Sequence, residues 1–217
     1  MTAPEREARR FPPDYDAPEE TYLEILNPIT IDRRVMRRSI LATMLEILEY
    51  NSSLSKSLAM FEIGPVFLPV DGQQLPEEKK MLSIGISGLR EIPSWQGDES
   101  SDMDFYDLKG IIEEMMQGMH IEDVNYREGE HPSFHPGKTA EILIGDRVIG
   151  IMGELHPLVK ANYEMEEAPV YVAELDLDPL LEAGKILFDV EAVPTYPPVL
   201  EDLAVVVDED VTASSVE

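Results

Sequence analysis

The sequence predicts an α+β fold, an antiparallel sheet flanked by helices. Three observations lead there. Strand-like stretches with alternating apolar and polar residues cluster together instead of alternating regularly with helices. Two segments, near residues 30–50 and 105–119, repeat their apolar residues at steps of three and four. Gly145-Asp146 joins two alternating stretches as a tight hairpin turn.

The opening 20 residues are rich in proline and charge, which predicts a poorly ordered leader over 1–21. Tyr22 to Leu26 has the makings of a short strand stopped by Pro28. Thr30 is the expected N-cap of a first helix whose apolar stripe includes Met36, Ile40, Leu41, Met44, Leu45, Ile47 and Leu48. "NSSLSKS" ends it. "LAMFEIGPVFLP" reads as a strand with a bulge or kink at Gly64-Pro65, and "MLSIGISG" returns beside it after a polar loop. Asp104 caps a second helix, Phe105 to Met119. Its methionines at 115, 116 and 119 could offer an adaptable binding face, but core packing is the preferred reading. "DVNYREG", "TAEILIG", "RVIGIMGEL" and "VYVAELDLD" complete the sheet. "PLVKANYE" and "PLLEAG" form short helices, the second stopped at Gly184. Prolines 194, 197 and 198 mark a linker. The expected organisation is a core over 22–190 and a linker with the opening of a further domain over 191–217. A strand begins at "LAVVVDED", and Thr212 could cap a helix after it.

Composition narrows the function classes. The formal net charge is −27, so the chain alone should repel nucleic acids and anionic membranes, while a cationic partner or plain solubility fits. The absence of cysteine excludes disulfides and thiolate metal sites and suits a reducing compartment. No apolar run approaches a membrane span or a signal core, so a soluble, cytoplasmic location is expected. His131 and His135 have the i, i+4 spacing of a zinc pair, but that geometry needs a helix, and a proline follows each histidine. Glu154 and His156 share one face of a strand and could form an acid–base pair; no nucleophile or second carboxylate stands beside them in sequence, and a strand end fixed by its Gly–Pro frame is the preferred reading. A hydrolase using that pair is one reading of the chain. No glycine loop has the spacing that cradles phosphate.

The arginines are the most informative feature. Arg33, Arg34, Arg37 and Arg38 fall within six positions of a strongly acidic chain. On a helix, 33/37 and 34/38 are like-charge pairs, each costing about 0.2–0.5 kcal/mol, and they occupy first turns where the dipole disfavours cations. Either the chain's own carboxylates compensate them, or they face another subunit or domain.

At these residues the chain resembles the β subunit of bacterial phenylalanyl-tRNA synthetase. "LNPIT…VMRRSILATMLEILEYN", "MFEIGPVF", "FYDLKGIIEEMM", "FHPGKTAEILIGDRVIGIMGELHP" and "YPPVLEDLAVVVDEDV" are similar, in order, to that family's segments between Leu26 and about Val211. The resemblance implies a class II synthetase-like core that is non-catalytic in this subunit. It implies a catalytic α subunit as partner within a two-α, two-β tetramer. The strand motif lacks an Arg-x-Glu clamp and no arginine follows Arg147, so no catalytic, cofactor or metal residue is expected here. ATP and magnesium serve the whole enzyme, and tRNA is reached only through the full complex. The family's upstream editing domain and magnesium-binding segment are not expected within this chain, and its C-terminal residues are similar to the start of a ferredoxin-like anticodon-binding domain. Glu201 replaces the usual arginine before Asp-Leu-Ala, and Lys138 replaces the arginine after His-Pro-Gly. Asn27, Pro28, Arg33, Arg34, Arg37 and Arg38 become subunit-interface candidates, and an exposed docking surface could also self-associate. The other expectation open at this point is a free-standing synthetase-like protein that binds a small molecule or regulates a partner.

Overall fold

The computed structural model describes residues 1–16, 21–73, 75–92, 95, 101–165, 168–185, 194–197, 199, 201–208, 211 and 216. The chain divides into two units, Met1–Ile186 and Leu187–Glu217. The first holds every helix and strand among the described residues: α1 (Pro4–Ala8), a 3₁₀ turn (Ile31–Arg33), α2 (Leu41–Ser52), β1 (Ser57–Leu68), β2 (Glu77–Gly88), α3 (Phe105–Gly118), β3 (Val124–Glu128), β4 (Phe134–Ile144), β5 (Arg147–Leu155), α4 (Pro157–Lys160), β6 (Val170–Asp176) and α5 (Leu177–Ala183).

The six strands form one sheet in the order β1-β2-β6-β5-β4-β3, and every pairing is antiparallel. The α+β reading with an antiparallel sheet is therefore correct. Helices cover both faces. On one, Leu108, Ile112 and Met116 of α3 and Leu180 of α5 pack against Ile84, Ile86, Met152 and Leu175. On the other, Leu41, Met44, Leu45 and Leu48 of α2 and Val159 of α4 pack against Leu58, Leu155 and Val172. Strand β6 runs through the middle, and its first four residues are all buried. A strand with both faces covered reads as a continuous apolar run. Met116 is fully buried, and Met115 and Met119 pack against the same cluster, so the methionines belong to the core. Among the described residues no helix is long and apolar enough to cross a membrane.

Several expectations are corrected. The segment expected as a poorly ordered leader is built into the body over residues 1–16. Ala3 and Glu7 are buried, Arg10 Nη1 pairs with Glu7 Oε2 at 2.8 Å, and Thr2 bridges to Val35. The helix expected after Thr30 starts at Leu41, ten residues later than that cap suggests, and Thr30 caps only the 3₁₀ turn, with no side-chain hydrogen bond. The four arginines thus lie outside the helix, where their mutual repulsion and the dipole no longer act together. Tyr22–Leu26 contributes only a bridge, Glu24 to Val35.

Gly64-Pro65 makes no bulge, because the β1–β2 register runs unbroken from Ser57–Gly88 to Leu68–Glu77. β1 is the edge strand, and Phe67 N donates outward to Arg37 O at 2.9 Å. Pro65, two residues earlier, therefore also points its missing N–H away from the ladder, where it removes no bond. Gly64 serves a different end: a β-carbon there would overlap the Arg37 guanidinium. Gly145 takes φ 57° in the β4–β5 hairpin turn, as expected of that turn.

In the second unit the described residues carry neither helix nor strand, including 201–208, where a strand was expected to begin. Thr212 lies outside the described residues.

Candidate subunit-docking site

Residues 22–38 form a loop pinned at its base. Val35 is buried and bonds in both directions with Thr2 (2.8 and 2.9 Å), while Ile25 N donates to Arg34 O (2.8 Å) and Met36 N to Leu23 O (2.9 Å). Above this base the loop displays apolar side chains: Leu26 is 98 % exposed, Ile29 91 % and Ile31 75 %. Asn27 and Pro28 are exposed between them. Three large aliphatic residues held in water on a pinned loop are what a docking surface needs and a free surface does not.

The arginines divide. Arg34 Nη2 donates to Glu5 Oε1 at 2.6 Å; that bond holds the Glu5 carboxyl below its ordinary range and raises Arg34. Arg37 lies across the edge strand: Nη1 pairs with Glu62 and reaches Thr43 Oγ1 (3.3 Å), and Nε donates to Pro65 O (2.9 Å). Arg38 Nη1 donates to Thr21 O at 2.7 Å. The Arg33 side chain is exposed and has no hydrogen-bond or ion-pair partner among the described residues. Compensation by the chain's own groups therefore accounts for Arg34, Arg37 and Arg38. Of the six candidates, Asn27, Pro28 and Arg33 remain free to meet another molecule.

The other candidates are held in structural roles. His131 lies beside β4 with its ring 5.1 Å from that of Phe134, and its Nδ1 accepts from Ser133 N at 3.2 Å. Burial, helped by Arg10, lowers its pKa to about 4. His135 Nδ1 is 2.6 Å from Pro136 O. Among the described residues no group of three or more histidines and acids could hold a metal ion. Glu154 Oε2 accepts from Lys138 Nζ (2.6 Å) and Tyr171 Oη (3.2 Å), and burial, with Glu154 beside it, pushes the Tyr171 phenol up to about 12. His156 caps α4, with Nδ1 accepting from Leu158 N at 3.1 Å. No hydrogen bond joins Glu154 to His156 among the described residues, and the acid–base pair is not assembled.

Sequence reading missed two features. One is the apolar character of the loop, signalled by Leu26, Ile29 and Ile31 recurring around Asn27-Pro28 without a helical period. The other is Glu174 of β6, whose carboxylate accepts from Ile40 N (2.8 Å) and Ser39 Oγ (3.1 Å) and so starts α2. Burial raises its pKa above the ordinary value, against the opposing pull of those bonds. No local pattern signals a cap supplied from the middle of a sheet.

A family model described as the phenylalanyl tRNA synthetase beta chain CLM domain matches residues 2–177. Among curated proteins the chain is similar to the phenylalanine–tRNA ligase beta subunit of Symbiobacterium thermophilum, 37 % identical over 203 residues, covering 93 % of this chain and 22 % of that protein. It is 40 % identical over 198 residues to the beta subunit of Clostridium acetobutylicum, covering 90 % of this chain and 23 % of the relative. Against the beta subunit of Geobacillus kaustophilus it is 34 % identical over 219 residues, 100 % of this chain and 26 % of the relative. The chain thus spans about a quarter of the length of these relatives.

Proposed function

Since the chain belongs to the family of phenylalanyl-tRNA synthetase β-chain CLM domains, we propose that it is the non-catalytic, class II synthetase-like core of such a β chain, scaffolding a catalytic α subunit that charges tRNA with phenylalanine. In this reading ATP and magnesium belong to the α subunit, the assembly is a cytoplasmic heterotetramer, and tRNA is met only by the full complex. The chemistry of β1 supports a structural role. At the strand motif stands Glu62, neutralised by Arg37, where gripping a nucleotide triphosphate needs uncommitted cations.

The observation that carries the docking role is the pinned loop with Leu26, Ile29 and Ile31 in water beside the free Arg33. Anchors of this kind, rather than total area, dominate interface energies. Light scattering on a mixture of this chain with an α subunit tests it. A complex is expected with the unaltered chain, weakened at least tenfold by the double substitution Leu26→Asp, Ile29→Asp, which alters two exposed residues. Equal affinity for both versions would remove the loop from the interface, and absence of any complex would remove the scaffold reading.

A further inference from the structure

Edge strand β1 is closed at both ends and open in the middle. At one end Ser55 Oγ donates to Ser57 O (2.8 Å) and accepts from Ser57 N (3.3 Å). At the other, Arg37 supplies a donor to Pro65 O and an acceptor to Phe67 N, both at 2.9 Å. Leu89 N bonds Lys56 O and the register is unbroken, so even-numbered β1 residues bond β2 and odd-numbered ones face outward. Between the closures the outward N–H and C=O groups of Ala59, Phe61 and Ile63 have no partner among the described residues. Edge strands with open backbone are ordinarily blunted by charge, proline or cover. Here Pro65, Arg37 and Ser55 blunt the flanks and leave a five-residue window.

The side chains beside the window are apolar. Phe61 is 72 % exposed and Ile63 58 %, and with Leu82, Ile84, Ile111 and Met115 they line a groove of about 340 Å³ between β1, β2 and α3. Only an extended backbone satisfies a row of alternating donors and acceptors, and a strand so placed lays every second side chain into this groove.

We propose that this window is a strand-addition site for a short extended segment of another polypeptide, apolar at alternate positions and carrying basic flanks. The basic character follows from the chain's charge of −27 and from Glu114, exposed one turn from Ile111 without an ion-pair partner among the described residues. A second copy does not fit through a β1–β1 pairing centred on Phe61. In a two-fold pairing centred on Phe61, Ser57 of the copy would fall opposite Pro65, where Arg37 already lies.

The test uses a fluorescent seven-residue peptide of alternating valine and threonine with a lysine at each end, titrated onto the 217-residue chain. In the bound register the valines enter the groove and their amides face β1, while the threonine amides face solvent. Methylating the valine nitrogens should weaken binding at least tenfold, and methylating the threonine nitrogens should leave it within twofold. Ala59→Pro removes one outward N–H at a position equivalent to Pro65. It should weaken binding at least tenfold with the unfolding midpoint unchanged, and the unaltered chain should show slowed exchange of the Phe61 and Ile63 amides on peptide addition. Equal binding of both methylated peptides would mean the groove takes apolar groups without strand pairing. No binding at millimolar peptide, or concentration-dependent protection of the same amides in the chain alone, would also overturn the proposal, the last in favour of self-association.

Discussion

Helices α2 and α3 both follow irregular connections, yet they begin in opposite ways. Every group that starts α3 lies within its own neighbourhood. Asp104 Oδ1 accepts from Tyr106 N (2.8 Å) and Asp107 N (3.1 Å), and Asp107 Oδ2 accepts from Asp104 N (2.6 Å). Arg90 then grips Asp107 with two bonds of 2.8 Å, which hold that carboxyl below its ordinary range. Helix α2 has the apolar Ile40 at its N-cap and no cap from that side chain. Its start is assembled by Ser39 and by Glu174, which lies 134 residues away on the central strand. A local cap makes a helix that can be read from sequence and can form early. A cap lent by the sheet makes one that is complete only when the sheet is.

The comparison breaks most visibly at Glu174. Replacing it with alanine strands the Ile40 amide and the Ser39 hydroxyl in a partly buried place, and a loss of about 3 kcal/mol is expected in denaturant melts. Glu174→Gln keeps an acceptor and should recover more than half of that. The pair also separates by pH. Because Glu174 has a raised pKa in the folded chain, there is a window above the ordinary carboxylate range in which the folded chain holds a proton that the unfolded chain has lost. The Glu174 contribution should therefore decline as pH rises through that window and be flat above it, and Glu174→Gln should abolish the decline. A melt series showing no difference in slope between the two proteins would mean that burial does not raise the Glu174 carboxyl in the folded chain.

Asp104→Ala should cost about 1 kcal/mol, the usual worth of an N-cap, with the loss confined to α3 amides in hydrogen exchange. A loss as large as that of Glu174→Ala would erase the distinction between local and borrowed caps. The smallest effect belongs to Thr30→Ala. Sequence reasoning makes Thr30 the cap of a long helix, but its side chain caps nothing, so stability should change by no more than about 0.5 kcal/mol. A cost near that of Asp104→Ala would restore the sequence-based start of the helix.

The same contrast explains what was legible. α3 with its cap and the Gly145 turn are dictated by residues close together in sequence, and the alternating stretches mark the strands of the antiparallel sheet; each was read correctly. The start of α2 was not, because its cap comes from β6. Gly64-Pro65 reads as a kink until β1 is known to be an edge strand with Pro65 pointing outward. The N-terminal residues look frayed by composition, yet Thr2 bridges Val35 and Arg10 pairs with a buried Glu7, neither of which composition records. At the candidate site the sequence singled out the arginines, and the structure shows partners within the chain for three of them. Arg37 lies across its own β1, whereas the aliphatic residues around Asn27-Pro28 are the ones left in water.

Hydrogen exchange on this chain with and without an α subunit tests the docking claim most directly. The amides of residues 26–33 should slow at least tenfold on mixing, while those of α2 and β6 stay unchanged. Protection that appears elsewhere on the surface and leaves 26–33 exchanging at its free rate would contradict it.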